Sequence, residues 1–186
     1  MNTLRLILGD QLNYQHSWYK TISEPTIYCM FEMRQETDYV KHHIQKVVGF
    51  FAAMQEFKKH LMSQGHKIVY LTLDDSSNHQ NLEENLSSLI SSLGISKFEY
   101  QSPDEYRLDA QLKTICKTLE ITTQVIESEH FYTNRDELSV FFKGKKQFLM
   151  ERFYRDMRKK NHILMNGEQP EGGEWNYDKS NRNKWK

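Results

Sequence analysis

The first residues in the chain whose types could do chemistry follow an apolar run near the amino terminus. The sequence LRLILGDQLN places a glycine, a carboxylate and an amide, Gly9, Asp10 and Gln11, directly after that run. It has neither the three glycines of a dinucleotide-binding loop nor the Gly-Lys-Ser/Thr of a P-loop. The turn therefore favours a ligand held by hydrogen bonds rather than by its phosphates. The alternative is that Asp10 only caps the next turn.

A second polar group follows the second apolar run. Glu32 and Glu36 come first, and Tyr39, His42 and His43 follow them. A carboxylate, a phenol and an imidazole could line one pocket, with aromatic area to stack on a flat ring. Adjacent residues on a helix point about 100° apart, so at most one of the two histidines faces such a pocket. Taken alone, each histidine is more simply explained as a solvated or structural residue. No ligand spacing typical of a metal site is present.

The third group is a basic segment over residues 143–160. It contains eight lysines and arginines against two acids, Glu151 and Asp156. With aromatic residues interleaved, it could contact the phosphates of nucleic acid or dock on another domain. A solvated helix face is the simpler explanation of the same charges. No order of Ser, His, Asp or Cys indicates an activated nucleophile, so a nucleotide hydrolase is the weakest alternative.

Composition limits the class of protein. The 186 residues suffice for one domain with an appendage. Lys plus Arg and Asp plus Glu both number 25, so the chain as a whole has no net charge to steer it toward nucleic acid or a membrane. Cys29 and Cys116 lack the spacing of a disulfide framework or metal site and are expected to be buried thiols. Without a signal-peptide pattern or an apolar run of about 18 residues, a cytoplasmic location is expected.

Five short runs of β-branched, leucine and aromatic residues predict the strands that must position these groups. They cover residues 4–8, 26–30, 67–73, 97–100 and 122–126. Their alternation with segments of helical length is typical of βαβ units and a parallel sheet. The first three runs are apolar at nearly every position, as expected for strands covered on both faces. Residues 1–130 are therefore predicted to form a Rossmann-like α/β domain, a doubly wound five-stranded parallel sheet with helices on both faces.

Helices are predicted between the strands over residues 38–64, 81–93 and 103–119. The first has the clearest apolar face, at three- and four-residue steps. Its members are Val40, Ile44, Val47, Val48, Phe51, Met54 and Leu61. Thr37 or Asp38 could cap its beginning, and Gly65 suits the left-handed residue that ends it.

Residues 131–186 are predicted to be a helical segment followed by an interdomain linker. Helices are expected over 134–142 and 148–160, without a sixth strand. From Gly167 onward the chain is rich in glycine, asparagine and charge and cannot bury a core of its own. Ligands of open parallel sheets bind at the carboxyl ends of the strands, where the strand order reverses. The polar groups after the first two strands are therefore expected to meet at one rim.

Three segments of the chain resemble one family. They are LRLILGDQLN, EMRQETDYVKHH and MERFYRDMRKKNHILMNGEQPEGGEWNYDKSNRNKW. These segments are long, unusual and in the same order as in the photolyase-related proteins, also called iron–sulfur bacterial cryptochromes and (6-4) photolyases. The resemblance extends over essentially the whole chain.

The resemblance implies an amino-terminal antenna domain that carries 6,7-dimethyl-8-ribityllumazine. It places six residues around this chromophore: Gly9, Asp10, Gln11, Glu32, Tyr39 and His43. In the family, FAD and a 4Fe-4S cluster belong to an all-helical carboxyl-terminal domain, which repairs DNA by light-driven electron transfer or senses light. We expect this chain to bind the antenna, to carry no catalysis of its own, and to have that missing flavin domain as its partner. DNA is expected as a partner of the full-length protein, with weak or no binding by this chain.

Overall fold

The computed structural model describes residues 2–178. Its strands are β1 (Thr3–Leu6), β2 (Thr26–Phe31), β3 (Lys67–Leu71), β4 (Lys97–Gln101), β5 (Thr122–Ile126), β6 (Met165–Asn166) and β7 (Gln169–Pro170). Its α-helices are α1 (Gln35–Asp38), α2 (Ile44–Ser63), α3 (Leu82–Ser92), α4 (Tyr106–Thr118), α5 (Glu137–Phe142) and α6 (Met150–Asn161), and a 3₁₀ turn covers Ser17–Tyr19. The chain divides between Glu129 and His130 into two compact units, the first containing β1–β5 and α1–α4.

The first unit is built on one parallel sheet with the strand order β3-β2-β1-β4-β5. The central strand β1 pairs with two neighbours, so that Leu4 lies opposite Ile27 of β2 and Phe98 of β4. After β3 the chain crosses to the other side of β1 through α3, and the strand order reverses there. This arrangement confirms the predicted doubly wound, five-stranded parallel sheet and places its switch point between β1 and β4.

Two apolar layers cover the two faces of this sheet. Leu4 points to one face, where it packs with Leu86 of α3 and Leu112 of α4. Ile7 points to the other, where it packs with Phe57 of α2. Successive side chains of an extended chain point to opposite faces, so Leu4 and Leu6 of β1 serve the first layer and Ile7, directly after the strand, serves the second. The edge strand β3 does not follow this prediction, because its Lys67 is exposed and its next three residues are only half-buried.

The long helix ends as predicted but begins later. Residues 35–38 form the separate short helix α1, and α2 begins only at Ile44. His43 is its N-cap, with Nδ1 accepting from the backbone N–H of Gln45 at 3.2 Å. The prediction of Thr37 or Asp38 as the cap was wrong, because the side chain of His43 takes that role after a turn. Gly65 follows the helix with φ of +93°, as its left-handed position requires.

The buried face of α2 also differs from the predicted one. Ile44 and Val48 are 67% and 59% exposed, whereas Phe57, which was not assigned to that face, is completely buried. The face that packs on the sheet consists of Phe51, Met54, Phe57 and Leu61. These four residues have the three- and four-residue spacing that was predicted. The prediction was wrong only in which residues belong to the buried face near the beginning of the helix.

The second unit contains two helices and a hairpin. α5 and α6 lie where helices were predicted, and Phe141 contacts Phe153 with ring centroids 5.1 Å apart. The expectation of no sixth strand was wrong, because the short strands β6 and β7 form an antiparallel pair. Strands of two residues leave no period in a sequence. Within residues 2–178 the structure has no helix that is both long and apolar enough to cross a bilayer.

The altered face of α2 predicts which apolar residues stabilise the fold. Phe57→Ala should lower the free energy of unfolding by about 3–5 kcal/mol, because it opens a cavity under α2. Ile44→Ala and Val48→Ala should each change it by less than about 0.5 kcal/mol, because their side chains are in water. Urea unfolding followed by circular dichroism measures all three. A loss above about 2 kcal/mol for Ile44→Ala would contradict the assignment.

Candidate functional site

A cavity of about 180 Å³ lies at the carboxyl ends of β1 and β2, beside the first turn of α4. Its walls are mostly apolar and comprise Leu6, Ile7, Leu8, Phe31, Met33, Phe50, Met54, Leu82 and Leu108. Its polar lining comprises Asp10, Glu36, Tyr39, Glu105 and Arg107, together with Gly9. The cavity therefore occupies the switch-point position at which doubly wound sheets bind ligands.

Gly9 permits a close approach between the first strand and α2. A Cβ atom at this position would lie 2.2 Å from Cζ of Phe50 and 2.9 Å from Sδ of Met54. Both distances are far below van der Waals contact, so any side chain at position 9 would displace the Phe50 ring or the Met54 sulfur. The lack of a side chain at Gly9 therefore allows the Phe50 ring to occupy its position beside the cavity.

Phe50 also lines a second, smaller cavity. The smaller cavity, of about 110 Å³, shares Glu36, Tyr39 and Phe50 with the first. Its remaining lining residues are Thr37, His42, Lys46 and Val47. The two cavities therefore adjoin at Glu36, Tyr39 and Phe50.

The segment from α1 to Tyr39 forms one wall of the cavity and is attached to α4. The side-chain amides of Gln35 and Gln111 bond each other reciprocally, at 2.6 and 3.3 Å. The guanidinium of Arg107 stacks over the ring of Tyr39, 4.3 Å from its centroid. These polar and cation–π contacts, rather than burial in the apolar layers, hold the wall in place.

Charge on the cavity rim is predominantly negative. Glu105 is the N-cap of α4, accepting from the backbone N–H groups of Arg107 and Leu108 at 3.3 and 3.4 Å. Its Oε1 also accepts from Nε of Arg107 at 2.5 Å. Desolvation, with added repulsion from Asp10 and Glu105, raises the pKa of Glu36. Three carboxylates therefore share the rim with one guanidinium.

The structure brings together three of the six residues predicted to surround a ligand. Gly9, Asp10 and Tyr39 line the cavity, and Glu36, noted in the same stretch of sequence, joins them. Gln11, Glu32 and His43 are absent from its lining.

Gln11 and Glu32 are buried in hydrogen-bond networks of the sheet. Oε1 of Gln11 accepts from the N–H of Leu8 at 3.2 Å, and its Nε2 donates to the carbonyl of Gln101 at 3.2 Å. The Glu32 carboxylate accepts from the Tyr70 hydroxyl at 2.7 Å, and also from the Gln55 amide and the Leu73 N–H. Both side chains therefore connect neighbouring strands and loops, while His43 is the exposed cap of α2.

The lining also contains residues that no sequence hypothesis included. Phe50 and Met54 come from α2, and Glu105 and Arg107 come from the beginning of α4. Glu105 and Arg107 could have been predicted from the strand order. Since β4 lies beside β1, the helix that follows β4 must begin close to the end of β1. The strand order itself could not be derived from one sequence.

The basic segment 143–160 forms many contacts within the second unit. Arg155 pairs with Glu151 at 2.6 Å, Lys159 with Glu168 at 3.3 Å, and Lys160 with Glu137. Arg158 is buried and donates to the carbonyls of Ile163 and Leu164. The ring of Trp175 lies 5.3 Å from the guanidinium groups of both Arg155 and Arg158.

The two cysteines form no disulfide, and only one of them is fully buried. Cys29 is buried and Cys116 half-buried, and both are free thiols. Burial raises the pKa of the Cys29 thiol well above its ordinary value, which keeps it protonated and unreactive. Among residues 2–178, no group of three His, Cys, Asp or Glu side chains is arranged to hold a metal ion.

A parallel sheet with a reversal of strand order places the first unit in the class of doubly wound α/β domains, and its cavity lies where such domains bind ligands. The chain belongs to the family of deoxyribodipyrimidine photo-lyase-related proteins, whose sequence model matches residues 5–186. This match confirms the resemblance seen in the sequence.

Two relatives illustrate the similarity. A (6-4) photolyase of Agrobacterium fabrum is 33% identical over 184 residues, which cover 98% of this chain and 36% of the photolyase. An uncharacterized protein of Acanthamoeba polyphaga mimivirus is 26% identical over 148 residues, which cover 77% of this chain and 73% of the viral protein. The chain thus spans about a third of the length of the photolyase that it matches.

The raised pKa of Glu36 predicts a pH-dependent stability. Between the unfolded pKa, about 4.3, and the higher folded one, the folded state holds more protons, so stability falls as pH rises through this window. Glu36→Gln should therefore be more stable than the wild type at pH 7, and the difference should shrink as the pH is lowered toward about 4. The midpoints of urea unfolding of the variant and the wild type, at pH 7 and at about pH 4, measure this difference in stability.

The matched control is Glu56→Gln, which removes the same charge from an exposed site on α2. It should change stability by less than about 0.5 kcal/mol at either pH. If the Glu36→Gln variant is less stable than the wild type at pH 7, the conclusion that ionised Glu36 destabilises the folded state is wrong.

Proposed function

We propose that the first unit is the antenna domain of a cytoplasmic photolyase- or cryptochrome-like flavoprotein, and that its cavity binds 6,7-dimethyl-8-ribityllumazine. The observation that carries the proposal is the apolar cavity at the switch point, which is rimmed by carboxylates and has no phosphate-binding loop. Family membership supports the same assignment.

The residues of the cavity suit a flat, polar-edged ring that carries hydroxyl groups. The apolar walls and the rings of Tyr39 and Phe50 offer surfaces against which a planar heterocycle can pack. The carboxylates of Asp10 and Glu36 accept hydrogen bonds from ring N–H groups or ribityl hydroxyls. A lumazine has both kinds of donor and no phosphate.

The size of the cavity limits how such a ligand is held. At about 180 Å³ it is smaller than the ~300 Å³ at which sites begin to enclose whole drug-sized ligands. We therefore assign the ring to the cavity and the ribityl chain to the open rim. The neighbouring space of about 110 Å³ borders the cavity at Phe50.

In this proposal the chain binds and orients the chromophore and excludes water from it, and it carries out no chemical step. The chromophore, when bound, supplies absorption of light and transfer of the excitation energy. FAD, the 4Fe-4S cluster and the contacts with DNA are assigned to the part of a full-length relative that this chain does not match. The flavin domain is then its partner, in DNA repair or in light sensing.

Binding is expected to be weak. At about 0.3 kcal/mol per heavy atom, a ligand of roughly 20 atoms gains about 6 kcal/mol, which corresponds to a dissociation constant of tens of micromolar. A ligand bound this weakly dissociates during purification, so the isolated chain should be obtained largely without chromophore.

The alternative, nucleic-acid binding through the segment 143–160, has less support. Several of its cations already neutralise acids of the same unit or stack on Trp175. Such contacts must be given up before the same groups bind phosphates, which lowers the gain from each one.

Titration of the 186-residue chain with the ribityllumazine, followed by the ligand's fluorescence, tests the antenna assignment. Wild type should bind with a dissociation constant in the tens of micromolar. Tyr39→Ala should weaken binding about fivefold, the equivalent of ~1 kcal/mol of lost stacking. Tyr132→Ala, which truncates an exposed ring of the second unit, is the matched control and should leave the constant unchanged. Absence of binding by wild type at several hundred micromolar ligand would reject the assignment.

A further inference from the structure

The amino terminus of α4 is the natural place on the cavity rim for an anion. The helix has 13 residues, and its first residues border the cavity, since Glu105, Arg107 and Leu108 all line it. The free N–H groups and the dipole of a helix N-terminus together attract phosphates. The guanidinium of Arg107 adds a second group of the kind that binds phosphate.

Glu105 already binds to both of these groups. Its carboxylate accepts from the N–H groups of Arg107 and Leu108 and, at 2.5 Å, from the Arg107 guanidinium. A ligand phosphate at this place would compete with this carboxylate for the same N–H groups. It would also approach Asp10 and Glu36, which lie on the same rim.

We propose that Glu105 acts as a built-in anion that makes the cavity selective for unphosphorylated, hydroxyl-bearing heterocycles over their phosphate esters. This inference rests on the proposed function and names the chemical class that the site accepts. A phosphate ester carries about −1.5 to −2 charges at pH 7. The three carboxylates at the rim outnumber the one guanidinium of Arg107, so the net charge of the rim repels the ester. Hydroxyl groups donate to the same carboxylates and are attracted.

The experiment compares two probes, 6,7-dimethyl-8-ribityllumazine and its 5′-phosphate, by fluorescence titration of the full chain at pH 7.5 and low salt. Wild type should bind the phosphate ester at least about tenfold more weakly than the alcohol. Glu105→Ser keeps a good N-cap, removes the charge and releases Arg107. It should reduce the difference between the two probes to about threefold or less.

Two control variants separate charge at this position from other effects. Glu105→Asp keeps both the charge and the capping group and should retain the wild-type preference. Glu56→Gln removes one negative charge from the exposed face of α2 and should also retain it.

The outcomes are distinct. Equal affinity of wild type for both probes overturns the selectivity but leaves the proposed function standing. A wild-type preference that Glu105→Ser does not reduce overturns the role of Glu105. Failure of wild type to bind either probe overturns the proposed function itself, and with it this inference.

Discussion

The pairing of β1 with both β2 and β4 is the constraint on which the rest of the structure depends. Because the chain leaves β1 toward β2 and later returns on its other side, the segments that follow β1 and β4 diverge and leave a gap between them. The buried amide of Gln11 bonds across from the end of β1 to Gln101 at the end of β4, which fixes the separation of the two. The cavity follows from this topology, and its side chains decide what it admits.

Local charge matters more here than the charge of the whole chain. Acids and bases balance over the sequence, yet the rim of one cavity gathers Asp10, Glu36 and Glu105 against a single arginine. The positive charges of the basic segment in the second unit are neutralised in part by neighbours such as Glu151 and Glu168. A neutral protein can thus hold a strongly polarised site, because charges separated by more than about 8–10 Å of salt solution hardly influence each other.

The sequence predicted the class of fold well, because strands buried on both faces and helices with one apolar face leave strong periodic signals. It predicted the site only in part. Gly9, Asp10 and Tyr39 were found from their position after strands, but Glu32 follows a strand equally and is used for structure, where it binds the Tyr70 hydroxyl. Which polar side chain turns into a cavity depends on partners distant in sequence. Arg107 was missed for the same reason, since its place beside Tyr39 depends on strand order.

The break between α1 and α2 has a consequence for how quickly the cavity can exchange its contents. Tyr39 lies on a segment that contributes little to either apolar layer and is joined to α4 through an amide pair and a stacked guanidinium. Releasing these contacts exposes little apolar surface, so the segment can open locally at a small fraction of the free energy of global unfolding. A ligand could then enter and leave while the sheet stays intact, on the timescale of loop motion rather than of refolding.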